Sequence, residues 1–299
     1  MAADPPSTRP QNDPRFAALV PSDAKLEKLA GNLQFIEGPA WFKGSEGQGG
    51  YLVFSDIPAN ELKKWTRLRG VETFRADSHN ANGNTIDREG RLVTCEHSGR
   101  RVSVTERDGT VRTVVDQFEG KKFNSPNDVV VKSDGTIWFT DPPYGVPKDQ
   151  KREVDKQLVF RFDPKSESLR VVADDFDRPN GLCFSPDEKI LYIADSGKPG
   201  HIRAFDVSGD GALANGRVFC KTDNGHPDGI RCDAAGNVWS SAGDGVHIFA
   251  PDGALLGKIL VPETPANLCF GGEDGKTLFI TARTRLYSIR TNSPAAGTR

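Results

Sequence analysis

One feature dominates this 299-residue chain: it repeats itself. Six segments share one hydrophobic pattern and end at a common offset: YLVFSD (51–56), RLVTCE (91–96), TIWFTD (136–141), ILYIAD (190–195), NVWSSA (237–242) and TLFITA (277–282), spaced by 40, 45, 54, 47 and 40 residues. Most are entered through a turn such as DREG, KSDG or DAAG, which joins antiparallel strands. Each is followed by a second alternating run (RVSVTE, QLVFRFD, HIRAFDV, GVHIFA) and then by a more polar one such as VRTVVD or LRVVAD. About four short strands per repeat, taken six times, predict an all-β chain folded as a six-bladed β-propeller, because blades packed around an axis leave few open sheet edges. The 31 Gly and 20 Pro, scattered among β-branched and aromatic runs, agree with many turns and few helices.

A six-repeat ring must close, and the last repeat runs out soon after RLYSIR (285–290). The segment near Lys25 to Ala30 is expected to supply the missing outer strand, although residues 23–30 also carry the chain's one hint of a helical turn. Residues 17–291 then form one propeller domain, with Pro-rich or small polar tails expected to be disordered at 1–16 and 292–299.

Charge argues against two classes of partner. With 39 basic and 41 acidic residues the formal charge is −2, which leaves no basic excess for nucleic acid or an anionic membrane surface. No run of 18 apolar residues occurs and no apolar export signal opens the sequence, so the expected compartment is the cytoplasm, or the periplasm where an export leader has been removed. Five cysteines in no C-x-x-C pairing read as free thiols.

The innermost strand of each blade should precede these segments at a constant distance, and FIEGPAWF, ANGNTID, SPNDVVV, RPNGLCF, HPDGIRC and PANLCF do so. Their first channel-facing residues align as Glu37, Asn82, Asn127, Asn180, Asp228 and Asn267, lying 19, 14, 14, 15, 14 and 15 residues before the ends of the following segments. Equivalent inner-strand positions lie at one height around the axis, so two carboxylates and four carboxamides converge. Propeller channels are water-filled and polar residues line them without binding anything, yet a ring that is acidic or amide at all six places suits a hard divalent cation, calcium first. With no sulfur or imidazole in the ring, Zn2+ is disfavoured, and neither it nor Mg2+ is excluded. Glu37, Asn127, Asn180 and Asp228 are the expected metal ligands, with Asn82 and Asn267 the weakest members. Loops at the same face should place His97, Asp141 to Tyr144, Asp195, Ser196, Asp244 and Arg283 on the rim. Of these His97, Asp141 and Tyr144, together with Asn82, are the candidate substrate contacts.

No rival constellation competes. There is no G-x-S-x-G elbow and no H-E-x-x-H pair. GGEDGKT (271–277) lacks the first glycine of a phosphate loop, and DVSGDG (206–211) has Arg217 where an EF-hand needs a glutamate, so both read as turns. Trp138 and Trp239 hold the same place in their strands and read as packing between blades.

EGPAW (37–41), PND (126–128), FTDPPYG (139–145), PNGLCFSPD (179–187) and PDG (227–229), in that order, resemble the calcium-dependent gluconolactonase and regucalcin family, relatives of diisopropyl fluorophosphatase and the paraoxonases. The resemblance spans roughly residues 30 to 290. It implies that Glu37, Asn180 and Asp228 bind the metal and that Asn127 lies beside it, touching substrate, water or ion. It also shows a departure: where regucalcin-type members hold the sugar lactone with an arginine two residues before the ND asparagine, this chain has Ser125. The implied reaction is hydrolysis of an aldonolactone such as glucono-lactone to the free acid, with a cation polarising the carbonyl and Asp228 as candidate base. Two alternatives stand beside it: a related propeller hydrolase acting on aryl esters, organophosphates or other lactones, and a non-enzymatic scaffold. Oligomeric state is not legible.

Overall fold

The computed structural model of the chain describes residues 8–10, 13–44 and 49–297. Six antiparallel sheets follow one another along the sequence, and each runs from an innermost strand outward. The first blade is Ile36–Phe42, Tyr51–Asp56, Glu61–Thr66 and Gly70–Ala76. The second is Ala81–Ile86, Leu92–Glu96, Arg101–Thr105 and Val111–Val115. The third is Val129–Val131, Ile137–Asp141, Leu158–Asp163 and Ser168–Ala173. The fourth is Pro179–Phe184, Ile190–Asp195, His201–Val207 and Leu213–Lys221, and the fifth Ile230–Cys232, Val238–Ser241, Gly245–Phe249 and Leu255–Leu260. The sixth is Asn267–Gly271, Thr277–Ala282 and Arg285–Arg290, completed on its outer edge by Glu27–Ala30. All six repeat segments are second strands, and the wheel is the six-bladed propeller expected.

The closing strand overrides the local helical hint at 23–30: Glu27 pairs with Ser288 and Lys28 with Tyr287. Tertiary pairing wins here because it matches backbone groups of Glu27–Ala30 with those of Arg285–Arg290, which a lone helical turn of this length would not. The short helix lies elsewhere, at Pro14–Leu19, capped by the Asp13 side chain on Arg15 N, with proline at the position where a missing N–H costs nothing. Phe16 and Leu19 bury against the core of the last two blades. Both expected tails differ from the structure where it describes them. Thr8–Pro10 pairs with Leu255–Leu260, Asn292 N donates to Leu19 O (2.8 Å), and Ala296 N donates to Cys232 O (2.9 Å). Of these tails, residues 1–7, 11–12 and 298–299 lie outside the described residues.

Core packing follows the strand alternation. Trp138 and Trp239 are fully buried, each edge-on to a phenylalanine of the following blade, Phe184 and Phe270. The five cysteines are buried and unbridged. GGEDGKT and DVSGDG form hairpin turns, closed by Gly275 N on Gly272 O and Gly211 N on Ser208 O.

Close packing of the innermost strands is written in a second alignment. The residue after each ring position is Gly38, Gly83, Asp128, Gly181, Gly229 and Leu268. A Cβ at Gly83 would lie 2.4 Å from Asn127 O, at Gly181 2.3 Å from Asp228 O, and at Gly229 2.1 Å from the Asn267 side chain. Backbone therefore meets backbone between neighbouring blades, with Gly83 N on Asn127 O (2.8 Å) and Gly181 N on Asp228 O (3.2 Å).

Candidate functional site at one mouth of the axis

Three ring residues sit at irregularities in their ladders. Pairing skips from Glu37 to Ala40, from Ala81 to Asn84, and from Pro179 to Leu182, so Asn82 and Asn180 stand in bulges and Glu37 borders one, which turns their side chains toward the axis. Asn127 and Asp228 lie just ahead of their inner strands, held by Asn127 N on Thr140 O (2.8 Å) and Asp228 N on Ser241 O (3.3 Å). The result is a cavity of about 340 Å3 walled by Glu37, Asn82, Asn127, Asn180 and Asp228, with His97, Tyr144, Ser196 and His226 around it.

Five of the six aligned ring residues thus meet. Asn267 does not line the cavity: its Oδ1 accepts from Leu268 N (2.8 Å), its Nδ2 lies 3.4 Å from Asp128 Oδ2, and its side chain hydrogen-bonds the Glu37 carboxylate from outside the cavity wall. Among the rim residues, His97, Tyr144 and Ser196 face the cavity. Asp141, expected as a substrate contact, is buried in the wall, and its carboxylate takes the backbone N–H groups of Asn124 and Ser125, both at 2.8 Å. Asp195 does the same for Asp177 and Arg178, and Asp56 for Gln34 and Phe35. The repeated aspartate is a clasp between the end of the second strand and the loop that leads into the inner strand. Arg283 is exposed and does not line the cavity. Asp244 belongs to a separate cluster with Asp223 and His247, where Lys258 Nζ contacts both carboxylates and supplies the positive charge from within the chain.

Electrostatics single out the central cavity. Burial first, and then the charge of Asp128, push the Glu37 carboxyl well above the usual carboxylate range, to about 7. Burial, Glu37 and Asp128 raise Asp228 in the same way. Two acids share one small volume with no lysine or arginine among its walls, an arrangement that either keeps a proton or takes a cation. A second sign points to the cation: Asn82 Oδ1 is buried without a hydrogen-bond partner. Two carboxylates, an orphaned amide oxygen and two further amides make a hard, all-oxygen donor set, which fits a divalent ion of the calcium type.

Asp128 escaped the sequence reading. It lies beneath the ring, 3.3 Å from Arg231 Nη1, and raises both ring acids. Its signal was present as the one acidic residue in the otherwise glycine-rich column after the ring. His226, Phe35 and Ile57, also missed, follow the repeat as well: Phe35 and His226 lie two residues before their ring positions, as Ser125 does, and Ile57 follows its second strand as His97 and Ser196 follow theirs.

Ser125 stands where the resemblance expects an arginine, and it does different work. Its hydroxyl donates to Pro142 O (2.6 Å) and accepts from Gly145 N (2.9 Å), stapling the 142–145 loop. That loop lays Tyr144 beside Ser196, Asn180 and Asp228, and burial pushes its phenol up to about 12, so it stays protonated.

Comparison with known proteins gives the family and the fold. Residues 35–284 match the family described as SMP-30/Gluconolactonase/LRE-like region. The chain is 35% identical to the gluconolactonase of Zymomonas mobilis, over 94% of this chain and 85% of that protein. It superposes on a gluconolactonase from Xanthomonas campestris with a TM-score of 0.88 at 38% identity, covering 97% of this chain and 96% of that one. A calcium-binding regucalcin from Agrobacterium tumefaciens shares the fold at a TM-score of 0.73 and 18% identity, covering 90% and 95%.

Proposed function

Because the chain belongs to the SMP-30/gluconolactonase/LRE-like family, we propose that it hydrolyses a sugar lactone such as glucono-lactone to the free acid, with a divalent cation, calcium first, held by Glu37, Asn127, Asn180 and Asp228. The observation that carries this reading is the pair of buried acids beside an orphaned amide oxygen at the mouth of the axis. Gluconolactonase relatives that match nearly the whole chain support the substrate class.

A bound divalent cation would supply Lewis-acid polarisation of the lactone carbonyl and lower the pKa of a nearby water. The chain supplies the rest. Asp228 takes a proton from the attacking water at its carboxylate oxygen. The water oxygen adds to the carbonyl carbon, and the carbon to ring-oxygen bond then breaks. The ring oxygen accepts the proton that Asp228 holds and leaves as a hydroxyl, so the products are one hydroxy acid and the regenerated carboxylate. Asn127 Oδ1 has two lone pairs, one engaged by Asn82, so its Nδ2 is available to donate to the oxygen on which charge develops. Tyr144, Ser196 and His226 line the cavity and would meet the sugar hydroxyls where an arginine at position 125 is absent.

The decisive experiment is acid release from glucono-lactone after chelation, over a series of added divalent ions and corrected for spontaneous hydrolysis. Turnover lost with chelator and restored by calcium is the expected result. Turnover indifferent to both would overturn the reading.

A further inference from the structure

A chain of three side chains in the cavity wall determines which way round two amides point. Asn82 Nδ2 lies 3.1 Å from His97 Nε2 and 3.0 Å from Asn127 Oδ1. The two hydrogens of that amide are thereby used, and Asn82 Oδ1 is turned to where no protein donor reaches it. The opposite sense is chemically self-consistent only if His97 carries its hydrogen on Nε2. The Asn82 oxygen would then accept from His97 and Asn127, and an NH2 group would face the two carboxylates and any cation between them. His97 is therefore the group that chooses.

The imidazole is fixed for that task. It is buried, and its Nε2 lies 3.1 Å from Asn82 Nδ2, the distance at which a ring nitrogen accepts from an amide N–H. Gly145 packs against it: a Cβ at position 145 would lie 2.5 Å from the His97 Cβ and 2.9 Å from its Nδ1. The backbone of the same turn is tied down, with His97 N on Asn80 O (3.2 Å) and Arg100 N on His97 O (3.2 Å).

We propose that His97 is a positioning residue rather than a substrate contact: its Nε2 lone pair holds Asn82 so that Asn82 Oδ1 becomes a further oxygen of the site and Asn127 Oδ1 is pinned with its Nδ2 turned to the lactone carbonyl oxygen. This rests on the lactonase reading above for its substrate and stands on the wall geometry alone for its effect on the cation.

Four variants test it: His97→Phe, His97→Gln, Asn82→Ala and the His97→Phe/Asn82→Ala double. The measurements are glucono-lactone turnover at saturating calcium and calorimetric calcium titration. His97→Phe keeps the bulk and loses the acceptor, and is expected to lower kcat about 10- to 100-fold with KM changed less than about threefold. His97→Gln, which can accept through Oε1, is expected to recover most of that loss. In the Asn82→Ala background, His97→Phe should cost less than about threefold, because the residue it acts through is gone. Calcium affinity should follow the same order. Losses that multiply in the double variant, or a His97→Phe protein with wild-type kcat and calcium affinity, would overturn the proposal. Should His97→Phe not fold, His97→Gln decides: a loss as large as that of Asn82→Ala refutes it. Absence of lactone turnover in the wild type would refute the lactonase reading, while the calcium series would still judge His97.

Discussion

The two ends of the central channel hold cavities of nearly equal size, about 340 Å3 at the start of the inner strands and about 350 Å3 at their far ends. They differ in charge balance. At the far end Arg231 is matched by Asp128 (3.3 Å) and Arg88 by Glu188 (3.8 Å). Burial pushes the thiols of Cys183 and Cys269 up to about 12 and that of Cys232 further, so all three remain protonated. Ala295 and Ala296 lie across that mouth, with Ala295 bridged to Asp233. At the other end Glu37 and Asp228 have no basic partner among the walls, and Asn82 Oδ1 has no donor. Volume does not distinguish them; an unsettled charge is what a ligand can settle.

That contrast can be broken in four ways. The largest expected effect is at Asp228: Asp228→Ala removes both a proposed ligand and the proposed proton acceptor and should lower kcat on glucono-lactone by about 1000-fold or more, and near-wild-type turnover in calcium-replete buffer would abolish the distinction.

Next comes Arg231→Met at the opposite end. It leaves Asp128 buried and unpaired, which should cost roughly 3–5 kcal/mol in urea unfolding while kcat at saturating calcium stays within a few-fold. A collapse of kcat with unchanged stability would show that the two ends are not separate.

Third is the pH dependence of stability. A carboxyl whose folded pKa is raised holds its proton in the folded state over a range where the unfolded chain has released it, so stability falls as pH rises. For Glu37 that window runs from its ordinary value of 4.5 to about 7. The chelated protein should therefore melt lower across that interval, Glu37→Gln should flatten this part of the slope, and calcium should restore more stability at pH 8 than at pH 5. A Glu37→Gln slope equal to wild type would remove the premise. In calorimetry the same variant should weaken calcium binding more than it alters kcat at saturation.

Smallest is deletion of residues 292–299, which uncovers the far cavity. It should leave kcat within about twofold and lower Tm by a few degrees, consistent with the loss of a few backbone hydrogen bonds. A large loss of turnover would give the far mouth a part in the reaction.

Much of this was readable before any coordinates. The period of the second strands predicted the wheel, its six blades and its closing strand, because each blade buries its faces only against neighbours and the pattern must recur. The same alignment brought Glu37, Asn82, Asn127, Asn180 and Asp228 to one level, since equivalent positions on repeated strands share a height around the axis. It failed where a side chain's direction depends on non-repeated partners. Asp141 and Asn267 occupy the right places in the pattern, yet backbone N–H groups claim the first, and Leu268 N and Asp128 turn the second aside.

The order of residues along this chain was enough to determine how many blades form and which inner-strand positions share one level around the axis, because both depend on a repeat that local hydrophobicity records. Only the tertiary structure decided which of those groups remain unsatisfied. Asp128 settles its charge on Arg231, 103 residues away, and Ser125 spends its hydroxyl on the 142–145 loop. Asn82, 15 residues from His97 and 45 from Asn127, brings its amide nitrogen within hydrogen-bond reach of both. Hydrogen bonds and charge pairs act over a few ångströms in space, and nothing in the spacing of residues says which distant partner will arrive first.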